Sequence, residues 1–275
     1  MRKSILTASI RRQRGLTLVE LMIGILLSLL ILTAVVYVFA GSRASYRNQE
    51  SLSAVQESGR IALEVLNRDI RMAGNPGCGN VSFLDHRSPL LFNNDIALVP
   101  APGATPADPD GITIRRGSPE FATIANSPAV NQIELTSTVP LGVINAGDIL
   151  LISDCAFTEA MTVQVVAGNQ LTATGNLSRQ FRPGSQVMRL ETVAYTVVAG
   201  ELRRNGQAVA AGITDLQFLY GIAGGAGRSA NRYEAAPSAA DSAQAVAVKL
   251  AITIADGNEV SQSFNSTIAL RNRAP

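Results

Sequence analysis

A single histidine, His86, and two cysteines, Cys78 and Cys155, are all that this 275-residue chain offers in imidazole and thiol chemistry. One imidazole rules out a two-histidine metal site. His86 stands beside Asp85, but no nucleophile-elbow pattern accompanies them, and the expected reading is an exposed loop residue. Walker-type and dinucleotide-binding glycine patterns are missing as well. Gly224-Gly225-Ala226-Gly227 has neither a buried strand ahead of it at the right spacing nor a Lys-Ser or Lys-Thr behind it. No patch interleaves basic with aromatic side chains, so nothing points to a nucleic-acid partner. The pattern offers no carrier for enzyme chemistry, and no cofactor or metal is expected.

A second long apolar run is also lacking, so the chain crosses a membrane once at most. The run that is present, Leu21 to Ala40, holds twenty residues without a charge. At about 1.5 Å per residue it covers a hydrocarbon layer of roughly 30 Å. Ahead of it stand Arg2, Lys3, Arg11, Arg12 and Arg14, with no acid among them. That asymmetry predicts a cytoplasmic N-terminus and the bulk of the chain on the other side. Without those five cations the remainder carries 18 basic and 21 acidic side chains, a balance of −3, so the overall +2 is a property of the leader. In an oxidising compartment Cys78 and Cys155 form one candidate disulfide; two separate buried thiols are the alternative. They lie 77 positions apart, and a bridge would contribute roughly 4–5 kcal/mol in the chain-entropy treatment.

One acid, Glu20, interrupts the apolar start five positions after Gly15. A charge at the centre of a span costs on the order of 2.5–3.5 kcal/mol on insertion scales. A secretory signal peptide needs an apolar region of about 7–15 residues and a small-x-small cleavage site. Val38-Phe39-Ala40 before Gly41 offers the site, but the run is too long and Glu20 breaks its beginning. A plain membrane anchor fits the length and leaves Gly15 and Glu20 without a purpose.

Both are accounted for by a third reading. Gly15-Leu16-Thr17-Leu18-Val19-Glu20-Leu21-Met22 resembles the class III signal of type IV prepilins and pseudopilins, with Leu16 where Phe is commoner. The resemblance implies cleavage by a prepilin peptidase between Gly15 and Leu16, N-methylation of Leu16, and a role for Glu20 in subunit registration. A free α-amino group, with an ordinary pKa of about 7.7–8.0, is mostly cationic at neutral pH. A buried carboxylate is tolerable only when paired or protonated. The terminal ammonium of a neighbouring subunit is a partner of the right sign, and the pair would act as a docking constraint more than as a source of stability.

From Gly41 to Ala73 the sequence turns polar but contains no proline. Val55, Ala62, Val65, Leu66, Ile70 and Ala73, with the lone Asp69, step mostly by three, four and seven. That spacing predicts a helix face packed on a globular head, with Arg60, Glu64, Asn67, Arg68 and Arg71 mostly on the other side. Gly74-Asn75-Pro76-Gly77 ends it. A break near Gly41-Ser42 would give two helices in place of one. The expected boundaries are a leader at 1–15, a membrane or filament-core helix at 16–40, its amphipathic continuation at 41–73 and a head at 74–275.

In the head, short alternating runs predict strands at 112–115, 132–136, 148–153, 162–166, 170–174, 187–190, 193–198, 201–204, 216–220, 247–254 and 263–269. Gly168-Asn169, Ala199-Gly200 and Asn205-Gly206 read as turns between them. Residues 100–111 and 221–242 read as loops, the second long enough that disorder is expected. The fold class is α+β, a long N-terminal helix packed on a mainly antiparallel sheet.

Later blocks narrow the resemblance. Ser58 to Gly74 followed by Gly77-Cys78, Gly147 to Cys155, Leu190 to Tyr195, Ile213 to Gly221 and the closing Thr267 to Arg273, with its Asn272-Arg273, are similar to PilW-type minor pilins of type IV pili. The resemblance implies a subunit held in the inner membrane with its head in the periplasm. Such a subunit joins other minor pilins and the major pilin, primes pilus assembly near the tip, and has a PilY-type adhesin as a further partner. A J-type pseudopilin of type II secretion is the alternative, and a single-pass periplasmic binding protein or enzyme is a distant third. Many such proteins carry an acidic loop after the Tyr-Gly pair, reminiscent of calcium loops. Here Tyr220-Gly221 leads into Ile-Ala-Gly-Gly-Ala-Gly, with no carboxylate before Glu234, so no calcium is expected there. Asp108-Pro109-Asp110-Gly111 reads as a simple turn.

Overall fold

The computed structural model describes residues 17–78, 97–224, 229–242, 244–257 and 260–270. Gly15, Leu16, Asp85, His86, Asn272, Arg273 and the centre of the glycine-rich stretch, 225–227, lie outside the described residues. Chain contacts divide the protein into two compact units, Met1–Glu50 and Ser51–Pro275. Helix α1, Leu18–Arg71, contributes to both, and it is one helix through Gly41-Ser42, not two. A lone glycine costs a helix about 1 kcal/mol relative to alanine. With no proline on either side, that is too little to break the ladder.

In the first unit every large apolar side chain from Leu18 to Phe39 is more than half exposed. In the second, Val55, Gly59, Ala62, Leu66, Asp69 and Ile70 are buried on one face, as the three-four spacing requires. Arg60 lies outside that face and pairs with Glu57 at 2.8 Å. Gly59 lets α1 approach the Phe264 ring so closely that a Cβ would lie 2.4 Å from it.

Thirteen strands are found among the described residues: β1 Leu98–Ala101, β2 Gly111–Ala129, β3 Gln132–Leu135, β4 Ile149–Ser153, β5 Thr158–Ala167, β6 Gln170–Ala173, β7 Gln186–Val198, β8 Glu201–Arg204, β9 Gln207–Ala211, β10 Ile213–Ala223, β11 Ala230–Glu234, β12 Ala245–Ala255 and β13 Ser261–Ala269. All their pairings are antiparallel. Hairpin turns fall at Gly168-Asn169, Ala199-Gly200 and Asn205-Gly206; in the last two both residues take positive φ, the geometry that keeps flanking strands in twist.

Two sheets result. One runs β11-β10-β12-β13. The other runs β1-β2-β3-β6-β5-β4-β7-β8-β9, and β7 also pairs with β2, so strands 2, 3, 6, 5, 4 and 7 close into a ring. Closure is visible in the burial as well. Ala122 and Ile124, Ile133 and Leu135, Leu150 and Ile152, Met161 and Val163, and Leu171 and Ala173 are pairs two apart on successive ring strands, and with Val187 they form one core. Alternate residues of five ring strands meeting in one core is the signature of a small barrel filled by side chains. The second core gathers the inner face of α1, the four-stranded sheet and parts of β1, β2, β7 and β8, with Leu66 and Ile70 grouped with Ile114, Tyr195, Leu216, Phe218, Val248 and Ile252.

Four expectations need correction. The strands expected at 187–190 and 193–198 are one continuous strand, β7. Residues 100–101 belong to β1 and Gly111 opens β2, so the first loop is shorter than 100–111. The stretch 221–242 is not wholly irregular: Gly221–Ala223 completes β10, Ala230–Glu234 pairs against it, and Ala239–Ser242 forms a helical turn. Strand β2 continues past Arg115 for fourteen more residues, because a register shift between Gly117 and Phe121 accommodates Pro119 without ending the ladder.

Candidate assembly site

The start of α1 is built by Thr17. Its hydroxyl accepts the backbone N–H of Glu20 at 3.3 Å, and its carbonyl accepts that of Leu21 at 3.2 Å. Thr17-Leu18-Val19-Glu20 is thus a Ser/Thr-x-x-Glu helix start, with the acid in the first turn where the helix dipole favours negative charge. This capping role is additional to the registration role expected of Glu20, and the four-residue signature for it stands in the sequence. Glu20, Gly24 and Ser28 follow one another at intervals of four and leave a shallow groove flanked by Leu21, Ile25, Leu29 and Leu32.

The rest of the segment is prepared for an environment without water. Ser28 donates its hydroxyl to the Gly24 carbonyl at 2.7 Å, and Thr33 donates to Leu29 at 2.8 Å, so these hydroxyls need no outside partner. An 18-residue window of the helix has a mean hydropathy of 2.7 and none of it is buried. A continuous apolar surface of that extent marks a lipid or protein contact.

Where α1 ends in the head, a second constellation holds it. Asp69 is fully buried, accepting from Tyr195 OH at 2.7 Å, Arg204 Nε at 2.8 Å and Arg116 Nη1 at 2.9 Å. Arg116 sits on β2 opposite Glu191 of β7 and bonds it at 3.3 Å; Tyr195 of β7 sits opposite Arg204 of β8. One carboxylate therefore ties the helix to three strands. Burial pushes the Asp69 carboxyl up, but the Arg204 and Tyr195 hydrogen bonds and the two guanidinium charges outweigh it and hold the carboxyl below its usual range. Burial and the neighbouring carboxylate raise the Tyr195 phenol above its ordinary value. The periodicity had placed Asp69 on the inward face; it gave no sign of the partners.

The helix-ending segment is stitched down just beyond. The Gly74 N–H donates to Arg115 and the Gly117 N–H donates to Asn75, each at 2.8 Å. Gly117 has no room for a side chain, since a Cβ would lie 3.0 Å from the Asn75 carbonyl oxygen and 3.1 Å from Met188 Sδ. The Thr158 hydroxyl lies 3.1 Å from the Pro76 carbonyl oxygen and 2.8 Å from Ser153 Oγ. Cys78 and Cys155 are joined in a disulfide, which settles the choice between a bridge and two thiols.

Asp110 is 6% exposed, and its two carboxylate oxygens accept the N–H groups of Gly103 and Phe218, each at 3.0 Å. Asp108 likewise accepts from Thr105. These acids organise a turn. Among the described residues no three His, Cys, Asp or Glu side chains are grouped as a metal site.

Residues 10–36 match the prokaryotic N-terminal methylation motif. The match spans Gly15, Leu16, Glu20 and most of the apolar run. It supports a type IV pilin- or pseudopilin-like protein, structural in kind, anchored in the membrane by a single span, processed by a prepilin peptidase and assembled with other pilins. No curated protein matches the chain.

Proposed function

We propose that the chain is a minor pilin of the PilW type that primes type IV pilus assembly and sits at or near the tip. The observation that carries this reading is the unburied first half of α1, charge-free from Leu21 to Ala40 and lying within and after the methylation motif, in a chain whose remainder already forms two cores of its own. Such a surface is stable in lipid or among like helices and nowhere else. In this account prepilin peptidase cuts between Gly15 and Leu16, Leu16 is N-methylated, and the head from residue 74 onward stands in the periplasm. The segment from Leu16 to Ala40 then moves from inner-membrane lipid into the filament core. Glu20 loses its water at that step and takes the terminal ammonium of the adjacent pilin as its partner.

The resemblance of the later blocks supports the PilW type, with the other minor pilins and the major pilin as neighbours and a PilY-type adhesin as cargo. The Cys78–Cys155 bridge agrees with a head that matures in an oxidising compartment. A strain lacking the protein is expected to lose surface pili and twitching while releasing exoproteins normally. Loss of exoprotein release with pili intact would contradict the pilus assignment in favour of a J-type pseudopilin.

A further inference from the structure

Across the end of the charge-free run, α1 carries a patterned stretch that the assembly reading does not use. Phe39, Arg43, Tyr46 and Arg47 fall within an arc of about 100° on one side of the helix. The two aromatics are 63% and 69% exposed. The Arg43 guanidinium carbon lies 5.8 Å from the centroid of the Phe39 ring, so this side chain leans back one turn toward the helix N-terminus. Glu50 is the next charge on the same face, one turn farther out than Arg47.

The spacing fits a bilayer. From Glu20 to Phe39 is about 29 Å of helix, close to the roughly 30 Å of a hydrocarbon layer. With Glu20 at one edge, the Phe39 ring reaches the other, and the back-leaning Arg43 brings its cation to the level of the lipid phosphates. Arg47 lies one turn beyond on the same side, with Tyr46 next to it in the sequence. Aromatic rings and snorkelling cations are the side chains that settle at such an interface. A cation at this level is attracted by the charge of anionic lipid phosphates, whether guanidinium or ammonium.

We infer that Phe39, Arg43, Tyr46 and Arg47 form a phospholipid-headgroup site at the end of the span away from the N-terminus, taking the phosphates of an anionic leaflet. The inference rests on the reading of α1 as the membrane anchor. Because the four side chains occupy one side, the site sets the depth and tilt of the helix before it leaves the membrane.

The chain contains no tryptophan, so Tyr37→Trp, placed about 160° around the helix from Phe39, supplies the sole indole reporter. The full-length protein is reconstituted in phosphatidylcholine vesicles with phosphatidylglycerol, and its depth is read by quenching from lipids brominated at graded positions. Combining Arg43→Gln and Arg47→Gln is expected to move the depth of maximum quenching by about one helical turn, ~5 Å. Omitting phosphatidylglycerol should shift the unsubstituted arginine protein in the same way, and Arg43→Lys with Arg47→Lys should return the reporter toward its original depth. An unchanged depth in the glutamine pair, or a lysine pair as displaced as the glutamine pair, overturns the inference. Absence of quenching by any brominated lipid would instead overturn the membrane-anchor reading beneath it.

Discussion

Replacing Asp69 with alanine removes the acceptor of three short hydrogen bonds at once, and the three donors fare differently. Arg204 is 31% exposed and can turn to water. Arg116 is 8% exposed and retains Glu191 at 3.3 Å. Tyr195 is fully buried and its hydroxyl loses its partner. Breaking a buried ion pair by deleting one side costs about 3–5 kcal/mol, and an orphaned buried hydroxyl alone costs about 1–3 kcal/mol. With Arg116 still paired and Arg204 rehydrated, the lower end applies, about 3 kcal/mol. For a unit of this size each 1 kcal/mol moves Tm by about 2–4 °C, so the expected fall is about 6–12 °C. Thermal unfolding of the detergent-solubilised full-length protein, followed by near-ultraviolet circular dichroism of its tyrosines, reads this directly. The sign with pH follows from the same group. Asp69 is held below its ordinary value of 3.8, so its contribution is present above that value and is lost as pH falls through the lower folded value. Asp69→Asn should therefore flatten the acid side of the stability profile. A Tm within about 1 °C of wild type for Asp69→Ala would refute the account of the network.

Three other perturbations test separate joints of the structure. Cys78→Ser with Cys155→Ser opens a loop of 77 positions and should cost about 4.5 kcal/mol, read as a lower denaturant midpoint and as loss of the mobility difference between reduced and non-reduced gels. Gly117→Val forces a side chain into the space between Asn75 and Met188 and should destabilise by about 1–3 kcal/mol, whereas Gly142→Ala, where a Cβ meets nothing within 4 Å, reports only the backbone strain of its positive φ. Glu20→Ala should leave membrane insertion intact and reduce incorporation into filaments, measured as the protein in sheared pili relative to membranes; normal incorporation would end its registration role.

The parts of this fold that were legible in the sequence are those set by neighbours along the chain. A charge-free run and a three-four spacing are local, and they predicted α1; Ala199-Gly200 and Asn205-Gly206 are local, and they located two hairpins. The strands came out too short wherever a bulge carried the ladder past a proline or a glycine, as in β2. Closure of the ring depends on β2 meeting both β3 and β7, and no local pattern announces a strand with two partners on different stretches of its length. The Asp69 site was hidden for the same reason. Its partners lie 47, 126 and 135 positions away, so the sequence revealed an acid on an apolar face and nothing that would neutralise it. Glu20 differs in that Gly15, Thr17 and the apolar run all lie within a few residues of it, and its capping by Thr17 needed the structure to be seen.

The central claim is that the apolar half of α1 becomes the N-terminus of an assembling subunit, and intact-mass and N-terminal peptide mass spectrometry of protein recovered from its own cell envelope tests it most directly. The account predicts a mature chain that begins at Leu16 and carries an N-methyl group. A chain beginning at Gly41 would mean ordinary secretion and would contradict it, as would an uncut chain still beginning at Met1.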